Sequence, residues 1–101
     1  MRVSFSPAAA RQADEIDLWW RDHRANAPDA FTEELASALV ALAANPRLGA
    51  LYARVKRPGV RRPFLGRTGY HLYYVVDGVR AVVTIRALWH SARGRGPNLG
   101  R

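Results

Sequence analysis

Histidines, arginines and one tyrosine in the second half of the chain could act together on a phosphodiester. They are Arg61, Arg62, His71, Tyr73, Arg86, His90 and Arg93. Cleavage of RNA by its own 2′-hydroxyl needs a base to take that proton, cations beside the crowded phosphate and an acid for the leaving oxygen. In this reaction His71 would be the base, Arg62 and Arg86 the phosphate clamp, and His90 the acid.

The same residues have a second interpretation, in which they form a binding surface and catalyse nothing. Arginines beside aromatic rings on the exposed face of a sheet also suit the acidic side chains of a protein partner.

Other chemistries find little support in the sequence. The chain has no cysteine, which excludes thiolate nucleophiles and thiolate zinc sites. The three histidines, His23, His71 and His90, stand far apart, so we expect no metal and no other cofactor.

Charge is strongly segregated along the 101 residues of the chain. Residues 1–45 hold seven acids and four bases, whereas residues 46–101 hold twelve bases and one acid, Asp77. A positive half of this kind attracts polyanions or an acidic partner.

No apolar stretch approaches the roughly 18–20 residues of a membrane span, and no signal peptide is recognised at the N-terminus. We therefore expect a cytoplasmic protein with no membrane contact.

A helical hairpin over roughly residues 7–45 is the clearest structural pattern. Ser6-Pro7 is a typical helix start, because serine caps free backbone N–H groups and proline fits the first helical position. Apolar residues then recur at helical spacing, at Ala9, Ala13, Ile16 and Trp20. The second helix starts near Pro28 and ends at Asn45-Pro46. Its apolar positions are Phe31, Leu35, Leu39 and Leu42.

Strand patterns lie on both sides of the helices. Residues 3–5 form a short first strand, and residues 60–65, interrupted by Pro63, form the second. Residues 70–76 and 79–88 form a hairpin across a two-residue turn, Asp77-Gly78. In that register the following pairs face each other on one apolar side: Val76 and Val79, Tyr74 and Ala81, Leu72 and Val83, Tyr70 and Ile85.

The predicted fold is α+β with the order β-α-α-β-β-β, an antiparallel sheet with an N-terminal helical hairpin packed on one face. The other face carries a mixed basic and aromatic surface that includes His71, Tyr73, Arg86 and Leu88. We expect residues 1–101 to form a single domain with a flexible tail at 94–101.

Two segments in the last third of the chain have a recognisable order. They are residues 69–76, GYHLYYVV, and residues 83–93, VTIRALWHSAR, and they follow the helical hairpin and the opening residues 3–9, VSFSPAA. This combination resembles the RelE/ParE superfamily of bacterial type II toxins. The second segment is similar to the ParE-type ending, in which a hydrophobic strand runs into a histidine, a small residue, an alanine and an arginine.

The resemblance to ParE implies a toxin that inhibits DNA gyrase without catalysis. It also implies a cognate ParD-like antitoxin that neutralises the toxin in a hetero-oligomer. The candidate residues for contact with target or antitoxin are then Arg61, Arg62, Tyr73, Arg86, His90 and Arg93.

Two alternatives stay open at this point. The first is a RelE-like, metal-independent mRNA endoribonuclease acting on the ribosome, with His71, Arg62, Arg86 and His90 as catalytic residues. RelE-type toxins use several lysines and arginines and usually a late tyrosine, whereas this chain has one lysine, Lys56, and no tyrosine after Tyr74. The second alternative is a plain nucleic-acid-binding module driven by the basic half.

Overall fold

A hairpin of two helices, α1 (Pro7–His23) and α2 (Ala30–Ala44), covers one face of a sheet. The computed structural model describes residues 1–53, 58–93, 96–97 and 99. The Ser6 hydroxyl oxygen accepts a hydrogen bond from the Ala9 N–H at 3.1 Å, so α1 begins with the predicted cap. The helical hairpin expected from the sequence is therefore confirmed. Neither of the two helices is long and apolar enough to cross a membrane.

Four strands form one mixed sheet in the order β1-β4-β3-β2. They are β1 (Arg2–Phe5), β2 (Phe64–Leu65), β3 (Tyr70–Asp77) and β4 (Val82–His90). The α+β class and the order β-α-α-β-β-β are confirmed, but the sheet is not wholly antiparallel, because β1 pairs with β4 in the parallel direction. A parallel pair needs a long crossover connection, and the segment that contains both helices supplies it.

The second strand is shorter than the segment 60–65 in which it was expected. Pro63 has no N–H to donate to a ladder, so regular pairing begins only after it. Two residue pairs then join β2 to β3, namely Phe64 with His71 and Leu65 with Tyr70.

The turn between β3 and β4 is longer than two residues. Asp77 pairs with Val82, and the Asp77 carboxylate accepts hydrogen bonds from the N–H groups of Val79 and Arg80, both at 3.1 Å. This side-chain capping holds a four-residue connection in which Ala81 takes a left-handed φ of 54°. The two-residue register is therefore wrong. The observed pairs include Val76 with Val83, Tyr74 with Ile85, Leu72 with Leu88 and Tyr70 with His90.

A β-bulge at Arg86 changes the faces that the end of β4 presents. Ile85 and Ala87 pair with adjacent residues of β3, which leaves Arg86 without a partner there. The extra residue reverses the alternation of side chains along the rest of the strand. Leu88 therefore joins the core beneath the helices, although the predicted register puts it on the opposite face. His90 lies on the helix side as well.

Buried side chains form one cluster on each face of the sheet. The cluster between sheet and helices includes Ala9, Phe31, Leu35, Leu42, Leu72, Tyr74, Val83 and Ile85. The smaller cluster on the opposite face contains Val60, Tyr73, Ala87 and Leu99. Leu99 is 5% exposed, so this part of the predicted flexible tail packs against the sheet. Residues 94–95, 98 and 100–101 of that tail lie outside the described residues.

Candidate functional site

The sheet separates the two histidines that the sequence suggested as base and acid. His71 lies opposite Trp89, on the face of the smaller cluster, with its ring centroid 6.3 Å from that of Tyr73. His90 lies opposite Tyr70, on the helix face, with its ring centroid 4.9 Å from that of Tyr70. The bulge in β4 causes this separation. The structure therefore does not bring His71 and His90 into one catalytic site.

Three of the predicted residues do come together on the face opposite the helices. The Arg62 guanidinium lies 4.4 Å from the ring centroid of Tyr52 and 6.0 Å from that of Tyr73. The two tyrosine rings meet edge to face at 5.3 Å, and His71 contacts Tyr73. We call the group Tyr52, Arg62, His71 and Tyr73 the cationic face.

Burial within the cationic face shifts the pKa values of His71 and Tyr73. Burial lowers the pKa of His71 below its usual 6.5, and the charge of Arg62 lowers this pKa further. Burial also raises the pKa of Tyr73 above its usual 10.0. The His71 Nδ1 atom is buried and has no hydrogen-bond partner among the described residues. A neutral imidazole beside a guanidinium can accept a proton, and the guanidinium can hold an anion.

The described part of the C-terminal segment covers some of this face. Leu99 belongs to the buried cluster of Tyr73. A Cβ atom added at Gly96 would lie 3.2 Å from the Tyr52 hydroxyl and 3.5 Å from the Tyr73 hydroxyl. Tyr73 is 1% exposed, so it supports Arg62 from inside the protein and does not offer a contact surface of its own.

The side chain of Arg61 binds backbone carbonyls within the protein. Its guanidinium donates to the Gly49 carbonyl at 2.6 Å and, at 3.4 Å, to that of Arg47. Its backbone N–H and carbonyl both bond to Tyr74. Arg61 therefore fixes the loop after α2 to the sheet.

Arg86 is the half-buried extra residue of the bulge. Its carbonyl accepts a hydrogen bond from the Ser6 hydroxyl at 3.4 Å.

A groove of about 780 Å³ lies between α1 and the ends of β3 and β4, on the face opposite the cationic face. Its wall and floor include Ile16, Trp19, Trp20, Tyr70, Leu88 and His90. The Trp20 indole N–H donates to the Tyr70 hydroxyl at 3.2 Å, which ties the helix to the sheet at the floor. We call this feature the α1 groove. The sequence does not predict it, because only the bulge turns His90 and Leu88 toward α1.

Polar atoms at the edge of the α1 groove are paired within the protein. β1 pairs with β4 only as far as Ile85, and beyond that point the Leu88 N–H donates to the Gln12 side-chain oxygen at 2.9 Å. The Ala92 N–H bonds to the His90 Nδ1 at 3.0 Å. In neutral His90 this bond places the proton on Nε2.

Two arginines among the lining residues of the groove lie over tryptophan rings, and one of these rings, Trp89, also packs against the smaller cluster of the opposite face. The Arg24 guanidinium is 4.7 Å from the ring centroid of Trp19 and 5.7 Å from that of Trp20. The Arg93 guanidinium is 4.1 Å from the ring centroid of Trp89. Among the described residues, neither arginine forms an ion pair with a carboxylate. The spacing of an arginine four or five residues after a tryptophan is the sequence signal for these pairs.

The described residues contain no group of three or more histidine, aspartate or glutamate side chains that could hold one metal ion.

Comparison with protein families shows the family to which the chain belongs. Residues 3–94 match the family described as the ParE toxin of the type II toxin-antitoxin system, parDE. The chain thus belongs to this family of toxins, within the RelE/ParE superfamily. The resemblance drawn from its last third is confirmed. A search of curated protein sequences gives no significant match.

Solved structures with the same fold include the toxins of several toxin–antitoxin pairs. The chain is 19% identical to a chain of the chromosomal ParDE system of P. aeruginosa, with a TM-score of 0.67 and coverage of 89% of this chain and 95% of that one. The RelBE2 complex of Mycobacterium tuberculosis gives 21% identity, a TM-score of 0.64 and coverage of 91% and 92%. The intact E. coli RelBE complex gives 24% identity and a TM-score of 0.61, with coverage of 91% of this chain and 98% of that one. At these identities the likeness shows the fold.

Proposed function

We propose that this chain is a ParE-type toxin that inhibits DNA gyrase and is held inactive by a cognate ParD-like antitoxin. Membership of the ParE toxin family over residues 3–94 is the observation that carries the proposal. An antitoxin partner is further supported by the similar structures, which come from ParDE and RelBE complexes.

The placement of the histidines supports a mode of action without catalysis. RNA cleavage by a base and an acid needs both groups on one phosphodiester, and His71 and His90 lie on opposite faces of the sheet. Arg62 and Arg86 are then contacts for the polyanionic gyrase–DNA complex. Arg61 and Tyr73 act indirectly, since Arg61 holds the loop and Tyr73 supports Arg62.

A cleavage assay with purified gyrase tests the proposal. Supercoiled plasmid and gyrase are incubated with the full chain, and protein-linked linear DNA is measured after denaturation. We expect the linear fraction to rise with toxin concentration and to fall again when the antitoxin is added. An unchanged linear fraction at stoichiometric excess of toxin would count against gyrase as the target.

A matched pair of arginine substitutions locates the contact. Arg62→Glu reverses a charge on the cationic face, and we expect about a tenfold loss of potency because like charges then meet at the interface. Arg80→Glu is the control, since Arg80 lies in the β3–β4 turn with its side chain 82% exposed and only a 3.8 Å ion pair to Asp77. Equal losses in both variants would show that net charge, and not this face, controls inhibition.

The RelE-like alternative keeps one specific observation in its favour, the neutral imidazole of His71 beside Arg62. A translation reaction programmed with a defined mRNA measures cleavage at the ribosome directly. The gyrase proposal predicts intact mRNA, and it predicts that His71→Gln remains toxic. Cleaved mRNA with the wild-type chain, abolished by His71→Gln, would replace the gyrase proposal with the endoribonuclease.

A further inference from the structure

The side of α2 that points away from the sheet is apolar, although it faces solvent. Ala36, Ser37, Val40 and Ala44 lie on this side and are all exposed, Val40 to 72%. We call these four residues the α2 outer face. Residues 35–46 contain no charged side chain, whereas a surface helix normally carries charged residues on the side that faces water. The composition of α2 is therefore that of a helix with apolar contacts on both sides.

The outer side of α1 shows the ordinary pattern and serves as a comparison. Leu18 is 61% exposed there, but the residues one turn before and after it are the exposed acids Asp14 and Asp22. The residues one turn before and after Val40 are both alanines. An isolated exposed leucine needs no partner, whereas a continuous apolar surface indicates a contact with another molecule.

Opposite charges stand at equal distances on either side of Val40. Glu33 precedes Val40 by seven residues, and Arg47 follows it by seven. Seven residues make about two helical turns, so Glu33 lies on the same side of α2 as Val40. Arg47 is exposed just beyond the end of the helix at Ala44. Among the described carboxylates, none forms an ion pair with Arg47.

We propose that the α2 outer face joins two copies of this chain in a symmetric dimer, an association that goes beyond the proposed function. Two antiparallel copies of α2 cross at Val40, so that Val40 meets Val40 of the partner subunit on the two-fold axis. Ala36 then lies opposite Ala44 of the partner subunit, because these residues stand four positions before and after Val40. Small side chains at these positions let the two helices approach closely.

The charges at the two ends of the contact are complementary in the same arrangement. Glu33 lies opposite Arg47 of the partner subunit, and the symmetry axis repeats this pair at the other end. The exposed ion pair between Glu33 and Arg67 within one copy is compatible with it, since a carboxylate has two oxygens that accept hydrogen bonds. The surface is thus complementary to itself in charge as well as in shape.

Two other occupants fit the α2 outer face less well. An acidic protein segment or a nucleic acid needs cations to pair with, and residues 35–46 provide none. A second copy brings an equally uncharged surface. The net charge of +8 on each copy opposes association at long range, and salt screens that repulsion.

Sedimentation equilibrium of the full chain tests the proposal. One helix face from each subunit buries less than about 1,200 Å² in total, which is typical of weak complexes. We therefore expect a dimer with a Kd on the order of 10 µM, measured up to about 200 µM chain in about 0.3 M NaCl.

A matched pair of glutamate substitutions locates the contact. Val40→Glu places two like charges at the symmetry axis, so we expect the dimer to weaken about 30-fold or more. Leu18→Glu makes the same kind of change at the exposed leucine of α1 and should stay within about twofold of the wild type. Both positions are exposed, and circular dichroism melts verify that each variant is folded.

A charge exchange tests the antiparallel arrangement. Glu33→Arg alone and Arg47→Glu alone each bring like charges together, and we expect each to weaken the dimer about fivefold. The double variant restores opposite charges at both ends, so its Kd should return to within about twofold of the wild type. Such a rescue is specific to contact with a second copy, because a different partner would not carry the exchanged residue.

The absence of cysteine from the chain allows an independent test by cross-linking. Val40→Cys puts the one thiol of each copy next to its equivalent, so mild oxidation should convert most of the chain to a disulfide-linked dimer. Leu18→Cys should remain mostly monomeric under the same conditions. A denaturing gel without reductant measures the two fractions.

Several results would overturn the assignment. A wild-type chain that stays monomeric over the whole concentration range would do so, as would equal effects of Val40→Glu and Leu18→Glu. Failure of the double charge exchange to restore the dimer would refute the antiparallel arrangement. If Val40→Glu leaves self-association unchanged but weakens binding of antitoxin or DNA, the α2 outer face belongs to that partner. All measurements of self-association use the chain alone and hold whether or not gyrase is the target.

Discussion

Tyr74 joins the sheet to the loop that follows α2. Its buried hydroxyl donates to the Pro46 carbonyl at 2.7 Å and accepts a hydrogen bond from the Gly49 N–H at 3.1 Å. Tyr74→Phe would leave both backbone groups without this partner, so we expect the free energy of unfolding to fall by about 2 kcal/mol. Urea unfolding followed by circular dichroism measures the difference.

Tyr70→Phe is the matched control for this substitution. The Tyr70 hydroxyl accepts one hydrogen bond, from the half-buried Trp20 indole, so the expected loss is smaller, about 1 kcal/mol. A loss in Tyr70→Phe that equals or exceeds the loss in Tyr74→Phe would contradict the role assigned to the Tyr74 hydroxyl.

His71 should make the stability of the protein depend on pH. Its pKa in the folded protein is lowered by burial and by Arg62, so the unfolded chain binds a proton at His71 more readily than the folded chain does. The stability gained from neutral His71 is fully present above about pH 6.5. It is lost as the pH falls from there through the lower pKa of the folded state.

Thermal melts of the wild type and of His71→Gln between pH 8 and pH 5 test this expectation. Other titrating groups are common to both proteins, so the difference between the two Tm values isolates His71. We expect this difference to shift against the wild type as the pH falls below 6.5. A constant difference over the whole range would contradict the lowered pKa.

The sequence predicts which residues are candidates for the site better than it predicts which of them lie together. Arg62, His71 and Tyr73 do share a face, and for His71 and Tyr73 the alternation along residues 70–76 predicted this. His90 does not join them, because an alternating pattern carries no sign of the extra residue at Arg86. The guanidinium of Arg61 turns to the Gly49 carbonyl, a contact that depends on a loop remote in sequence.

Glu34 connects α2 to the turn between β2 and β3. Its carboxylate accepts hydrogen bonds from the Arg67 N–H at 2.7 Å, the Thr68 N–H at 2.9 Å and the Thr68 hydroxyl at 2.6 Å. Thr68 is 5% exposed, so Glu34→Ala leaves the N–H and the hydroxyl of Thr68 without this acceptor and with little access to water. We expect the free energy of unfolding to fall by about 2–3 kcal/mol, measured by urea unfolding.

Glu33 provides the control at the same junction. It forms an ion pair with Arg67 at 3.0 Å, and both side chains are more than half exposed, at 62% and 55%. Solvent screens such a pair, so Glu33→Ala should cost roughly 0–1 kcal/mol. If the two substitutions cost the same, the junction would be held by net charge and not by the hydrogen bonds of Glu34.

At the element scale, the helices were predictable and the strand pairing was not. Ser6 and the apolar repeat define α1 locally, and the structure confirms both. The Asp77-Gly78 pair did mark a turn, but the Asp77 carboxylate caps a longer connection than the two-residue type. The parallel pairing of β1 with β4 depends on the whole crossover, for which a four-residue strand gives no local signal.

The whole molecule has a net charge of +8, with most of its bases after residue 45. This field should accelerate the encounter with an antitoxin that carries acidic residues. We expect the association rate constant to fall about tenfold or more between 50 mM and 500 mM NaCl, because salt screens the attraction. Stopped-flow fluorescence with a fluorescently labelled antitoxin measures the association rate constant. A rate constant independent of salt would contradict electrostatic steering.

The two faces of the sheet carry different surfaces. Arg62 lies on the cationic face, and the α1 groove lies on the face of the helices. The composition of the strands predicts the first surface. It does not predict the second, because the groove exists only where α1 crosses the end of β4 beyond the last pair with β1, Phe5 and Ile85.

Pulse labelling of DNA and protein synthesis within minutes of inducing this chain alone distinguishes a gyrase inhibitor from an inhibitor of translation. A gyrase inhibitor should stop thymidine incorporation first while methionine incorporation continues, and co-expression of the antitoxin should prevent the effect. Early collapse of methionine incorporation with DNA synthesis still running would contradict the gyrase proposal and would make His71 the residue to study.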